Sequence, residues 1–294
     1  MKINHLDNVP FQFPEELNEL TPRQLEIIIG FIHQNLEIKT AKLRIMNAFF
    51  YHNWAILWLF FKNDIIIPFL DWVTFGHLTW TQKSLGEGSL IDMIQSASSF
   101  LFESENYLTK QLYPTLTILR PKGYLTRKIK LYGPPSELIG ITFKEFIVAD
   151  FQYRMYTKTR DEKHLNKLCA ILYRLQNEGF KDDDSIDLRA ALFSDIPLTR
   201  KLAIFQFYDG CYKQLVDNHE HLFPKIKDDT KKTETTVTSI IQQYEMWKSV
   251  PAEFSEKPDE VSKQEEVMLH NVIRFLDHKA MQNQKLKELA ERNK

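Results

Sequence analysis

His219-Glu220-His221 is the first string in this 294-residue chain that could ligate a metal. Residues two apart on a helix point in different directions, so the two imidazoles are badly placed to grip one ion. The string reads instead as a helix end before Phe223-Pro224. His270 and His278 stand about two turns apart on a helix, too far for one ligand sphere, and read as solvated. Asp182-Asp183-Asp184 offers the oxygens a divalent cation takes, but consecutive aspartates more often make a solvated turn or a helix N-terminus. Cys169 and Cys211 lie among apolar residues in helix-like segments and read as buried free thiols. No Ser or Cys sits in a nucleophile elbow, and no glycine-rich phosphate loop is spelled out. The residues therefore nominate no catalytic group, no metal site and no cofactor, and a non-enzymatic protein is expected.

One constellation could hold a polyanion. Arg120, Lys122, Arg127, Lys128 and Lys130 fall close together, with Tyr124 and Tyr132 interleaved. A basic β-ribbon can follow phosphates while aromatic rings stack on bases. Hairpins also carry lysines simply to blunt their exposed edges. With 38 basic and 39 acidic residues the formal net charge is -1, so the whole molecule gains no general attraction to nucleic acid or anionic membranes. Nucleic-acid binding through the hairpin at 120–132 is the alternative reading, not the preferred one.

The elements that would position these groups are mostly helical. Glycine numbers only 9, where average usage would give about twenty, which disfavours a turn-rich all-β fold. The 43% apolar and 26% charged composition, with 21 Phe, 11 Tyr and 5 Trp, supports a sizeable core. The expected fold is mainly α: a helical globular body over 20–224 with one small β-hairpin at about 115–133. An irregular arm (1–19) precedes it. A flexible linker (225–238) and an amphipathic tail (239–294) ending in a helix follow it.

Thr21-Pro22-Arg23-Gln24 spells a helix start with a capping box, and Thr142-Phe143-Lys144-Glu145 spells another. Helices are expected over about 39–61, 90–113, 142–155, the leucine-spaced stretch to Leu175, and 198–222 with an interruption at Gly210. The Asn177 to Asp187 stretch reads as loop. Trp54-Ala-Ile-Leu-Trp-Leu-Phe-Phe61 is the longest apolar run; it falls far short of the ~20 residues that cross a bilayer, so Trp54, Leu57, Phe60 and Phe61 are expected inside a helical core. The first residues lack an apolar signal segment. An intracellular, soluble protein is expected.

Beyond Pro224 the chain changes character. Lys225 to Thr238 offers almost nothing to bury and cannot offset its own ordering entropy. Ser239 to Val250 reads as a short amphipathic helix, then a polar stretch with Pro251 and Pro258, then a helix from Glu265 to Arg292. Trp247 and the Leu269/Ile273/Leu276 stripe are the expected partner-binding residues. Docked on another protein, or on another copy of this chain, the stripe makes the tail a contact element. Docked on its own body, it makes the tail a strap.

Three stretches carry a resemblance. Leu131-Tyr-Gly-Pro-Pro-Ser-Glu-Leu-Ile-Gly-Ile-Thr-Phe-Lys-Glu-Phe-Ile-Val-Ala-Asp150, Leu165-Asn-Lys-Leu-Cys-Ala-Ile-Leu-Tyr-Arg174 and Phe207-Tyr-Asp-Gly-Cys211 resemble uncharacterised proteins of tailed phages and prophages of Bacteroidota. Val272-Ile-Arg-Phe-Leu-Asp-His-Lys-Ala280 fits the same group. The resemblance covers about 115–224 and the last helix, and its motifs are turns, caps and helix faces. It implies a virion structural or assembly protein of the tail or neck, located in the host cytoplasm during assembly or in the virion. The implied partners are other virion or assembly proteins, self-association included.

Overall fold

The computed structural model describes residues 2–6, 9–13, 16–33, 107–122, 125–176, 178, 180, 184–223, 236–253 and 267–292. The protein is mainly α, and the chain divides into two units, Met1–Asn106 and Tyr107–Lys294.

In the first unit, strands β1 (Lys2–Leu6) and β2 (Val9–Phe13) pair antiparallel, from Lys2↔Phe13 to Leu6↔Val9. The arm at 1–19, expected to be irregular, is therefore largely a ribbon. Pro10 is tolerated because a two-stranded ribbon has one free edge on each strand, where a missing N–H breaks no ladder bond. Helix α1 (Pro22–His33) starts where the sequence spells it. The Gln24 N–H donates to Thr21 Oγ1 (3.3 Å) and the Thr21 N–H donates to Gln24 Oε1 (2.8 Å). Leu25, Ile28 and Ile29 are buried, the spacing of one helical face. The helix expected over 39–61, with Trp54, Leu57, Phe60 and Phe61, lies outside the described residues.

The second unit opens with Tyr107 to Tyr113 in irregular backbone, not the end of a helix as the leucine spacing suggested. Strands β3 (Thr115–Lys122) and β4 (Leu125–Tyr132) then form the expected hairpin. Pro121 and Lys122 belong to β3 and pair with Thr126 and Leu125. Helices α2 (Phe143–Thr159), α3 (Glu162–Leu172), α4 (Asp184–Leu192), α5 (Leu198–Asn218), α6 (Val237–Glu253) and α7 (Leu269–Arg292) complete it.

Both capping-box bonds at Thr142 are formed. Its hydroxyl accepts from the Glu145 N–H (3.3 Å), and the Glu145 carboxylate accepts from the Thr142 N–H (2.7 Å). Asp161 caps α3 in the simpler way, accepting from Lys163 N–H at 2.9 Å. Leu165, Leu168, Cys169 and Leu172 form the buried stripe of α3. Leu175, expected to continue that stripe, lies beyond the helix and is exposed, because the backbone turns extended at Tyr173. Helix α4 starts at Asp184, inside the stretch read as loop.

Helix α5 runs straight through Gly210, where an interruption was expected. A Cβ at Gly210 would meet the Leu108 backbone oxygen at 2.4 Å and its nitrogen at 2.7 Å. The glycine lets the 107–109 segment lie directly on the helix; its role is close approach rather than a break.

Helix α2 is the centre of the unit, packed against α3, α6 and α7, while α3 also packs on α4 and α5. The C-terminal helices are thus part of the same unit as the hairpin. The chain returns to the start of α2 by a short backbone ladder. Phe143 N–H donates to Val267 O (2.8 Å), Leu269 N–H donates to Ile141 O (3.0 Å), and Thr142 pairs with Met268. Pro251, expected in a polar stretch between helices, lies buried within the last turn of α6. It lacks the N–H that would bond the Trp247 carbonyl one turn back, and only two more residues of helix follow it.

Candidate functional site

The hairpin is built on an apolar base. Leu116, Ile118 and Leu131 are buried, and they share one strand parity with Ile129. By register, Arg120, Lys122 and Arg127 take positions of this same parity further along the ribbon, with Arg120 paired to Arg127. Their side chains lie outside the described residues, as does Tyr124. Lys128 and Lys130 have the opposite parity and are exposed. By register the five basic positions therefore fall on both parities of the ribbon and not on one. Lys130 Nζ stands 5.2 Å from the centroid of the half-buried Tyr132 ring, a cation–π contact that holds the ammonium close to the strand.

The base of the ribbon is tied to the helical layer. Tyr132 and Arg174 exchange backbone bonds, 2.7 Å from the Tyr132 N–H and 3.1 Å from the Arg174 N–H. Arg174 Nη1 pairs with the buried Glu145 carboxylate at 2.6 Å. One residue thus joins strand, capping box and helix, fixing the direction in which the ribbon leaves the unit.

The residues expected to meet a partner lie elsewhere than expected. Trp247 is buried against Phe143, Phe146 and Phe223, with ring centroids 5.8, 6.2 and 6.2 Å away. Leu269 and Ile273 have no exposed surface, and Leu276 is half-buried. The stripe is satisfied within this unit, so of the two dockings weighed for the tail the structure has the strap. The physical reason is the ring-lined start of α2, which offers the indole more apolar contact than water does. A further link closes at the other end of α5. Asp277 Oδ1 accepts from Leu222 N–H (3.0 Å), and its Oδ2 lies 3.6 Å from His219 Nδ1. His219 thus faces a carboxylate of α7.

The last part of α7 behaves differently. From Gln282 to Glu291 every residue is exposed, Leu286 and Leu289 at 64% and 55%. These two are three residues apart on one helical face.

Sequence reasoning missed the polar seam between α2 and α5. Arg154 Nε donates to Asp150 Oδ2 (2.7 Å), and Arg154 Nη2 donates to Tyr212 Oη (2.6 Å). The Tyr153 hydroxyl donates to Asp209 Oδ1 (2.5 Å), and Lys213 pairs with Asp209 Oδ2 (2.7 Å). Burial pushes the Asp150 carboxyl above its ordinary value, against the lowering by Arg154. Burial, then the Asp209 charge, pushes the Tyr153 phenol far up. Burial also raises Tyr208 and Tyr212, with Asp150 adding to both. The only signals in the sequence were the i,i+4 pairs Asp150/Arg154 and Asp209/Lys213, which exposed helices carry as readily. A second buried cation, Lys201 on α5, is enclosed with its Nζ paired to Glu162 and donating to Asn166 Oδ1 (3.0 Å).

Among the described residues, no three His, Cys, Asp or Glu side chains gather in a way that could hold a metal ion, and no helix is long and apolar enough to cross a membrane. Asp182 and Asp183 lie outside the described residues, and Asp184 is the first residue of α4. No protein-family model matches the chain, and no curated protein or solved structure matches it.

Proposed function

We propose that this protein is a non-enzymatic structural or assembly component of a phage-type particle, of the tail or neck, working through protein–protein contacts. The setting is the one implied by the resemblance in 131–150, 165–174, 207–211 and 272–280. The observation that carries the contact role is the division of α7. Its first half is anchored by Leu269, Ile273 and Asp277, and residues 282–291 continue as exposed helix for about 15 Å. Helix without tertiary packing is marginal in water, and this segment keeps Leu286 and Leu289 in solvent. Packing on another protein of the particle stabilises both. Lys285, Lys287, Glu288 and Glu291 interleave both signs of charge, which suits a protein surface better than a polyanion.

The test is a chain ending at Met281, compared with the full chain in the source phage or prophage. The shortened chain is expected to unfold at a near-native temperature, while electron microscopy finds incomplete particles. Complete particles made with the shortened chain would refute the contact role of α7. Complete particles made with the gene deleted would refute the whole proposal.

The alternative, nucleic-acid binding by the ribbon at 120–132, draws on the exposed Lys128 and Lys130. Phosphate contacts weaken steeply with salt. Retention on duplex or single-stranded DNA that falls steeply with added salt and disappears in Lys128→Glu/Lys130→Glu would favour it over the preferred reading.

A further inference from the structure

Helix α7 bears a second apolar stripe, beside the one the protein buries. Leu269 and Ile273 are covered within the unit. On the neighbouring side Val272, Phe275, Lys279, Gln282, Leu286 and Leu289 succeed one another at alternating steps of three and four. That period of 3.5 residues is the one two paired helices share. Met268, whose carbonyl accepts from the Val272 N–H (3.3 Å), continues the stripe by one step. Val272 is half-buried, and the other six are exposed, Met268 at 47% and Phe275 at 53%. The stripe therefore lies open both where α7 is anchored and where it continues alone.

We propose that this stripe is the interface of a dimer, in which α7 of one copy lies antiparallel along α7 of a second. The order of the residues names the occupant. With Val272 set opposite Leu289 of the second copy, Phe275 falls opposite Leu286, and Lys279 opposite Gln282. From Val272 to Leu289 each apolar position then meets an apolar one, and the two polar positions meet each other. Sliding one helix by a step sets Phe275 against Gln282, or Lys279 against Leu286. A parallel pair in register sets Lys279 against its own copy, two like charges at the centre. The antiparallel contact is two-fold, so the same pairs form twice and the dimer closes. The stripe is about 32 Å long. Two helices in contact over that length bury on the order of 1,000 Å² between them, the least that a specific interface needs. Each distal segment, marginal by itself in water, then lies on the anchored half of the other. The inference rests on the contact role proposed for residues 282–291 and names their partner.

Sedimentation velocity on the full chain over a range of concentrations is expected to show a dimer. A monomer at every concentration would overturn the proposal. Leu286→Asp/Leu289→Asp, both at exposed positions, is expected to lose the dimer and keep the thermal midpoint of the monomer. A dimer as tight as the parent's would overturn it. Mild oxidation reads the orientation, since Cys169 and Cys211 are buried. Phe275→Cys/Leu286→Cys is expected to give a disulfide-linked dimer, and Leu286→Cys alone none. A linked dimer from Leu286→Cys alone would mean a parallel pair and overturn the proposal. If the parent is a monomer and the chain ending at Met281 still leaves particles incomplete, self-pairing fails while the contact role of α7 stands.

Discussion

The indole of Trp247 stands edge-on to the ring of Phe143, centroids 5.8 Å apart and planes at 75°. Phe143 is the first residue of α2, and its own N–H is held by Val267 of the strap. The contact therefore joins the last third of the chain to the helix at the centre of the unit. Trp247→Ala should destabilise the protein by about 3–5 kcal/mol, the cost of emptying a large buried site, read from urea unfolding. Deleting residues 225–294 should lower the thermal midpoint well beyond what the chain ending at Met281 loses. A truncated body as stable as the parent would mean that the strap contributes nothing to the core.

Gly210→Ala should cost about 1–3 kcal/mol, the usual penalty of overpacking, although alanine is the better helix former. The added methyl has to displace the Leu108 backbone, which has no rotamer through which to yield. Equilibrium denaturation measures this directly. Unchanged or increased stability would show that residues 107–109 do not lie on α5.

Cys169 and Cys211 are buried, and burial pushes both thiols up to about 12. Since the thiolate is the reactive form, neither should react with a disulfide reagent at pH 8 in the native protein. Both should react at once in guanidinium chloride. A thiol titrated rapidly under native conditions would contradict the packing of α3 or α5.

Asp150 gives a signed pH dependence. Burial holds its folded-state value above the ordinary 3.8, with Arg154 opposing. The folded state then binds the proton more tightly, so this contribution to stability is full below the unfolded value and is lost as pH rises through the folded one. Asp150→Asn does not titrate. Its stability relative to the parent should therefore increase between about pH 4 and neutrality, followed by urea unfolding at several pH values. A relative stability that instead falls with pH would mean that the Arg154 pair outweighs desolvation.

What the sequence by itself determined is local. The boxes at Thr21/Gln24 and Thr142/Glu145 were readable because both partners lie within one turn and need no tertiary contact. The β3–β4 hairpin was readable for a related reason, since its pairing spans only neighbouring strands. The apolar stripe of α7 showed that Leu269 and Ile273 would be covered, but an amphipathic face does not say by what. Only the tertiary structure decided that the cover comes from this chain's own second unit.

The same limit explains the other departures. Gly210 is written alike whether it breaks a helix or admits a neighbouring backbone, and the approach of Leu108, about a hundred residues earlier, decides between them. Asp150 and Arg154 look like any surface i,i+4 pair. They became a buried seam because α5 sets Tyr208 and Tyr212 against them, 58 residues beyond Arg154 in the case of Tyr212. Caps and strand alternation are short-range and leave a mark in adjacent residues. Desolvation depends on which surfaces meet, and that is a property of the whole packed chain.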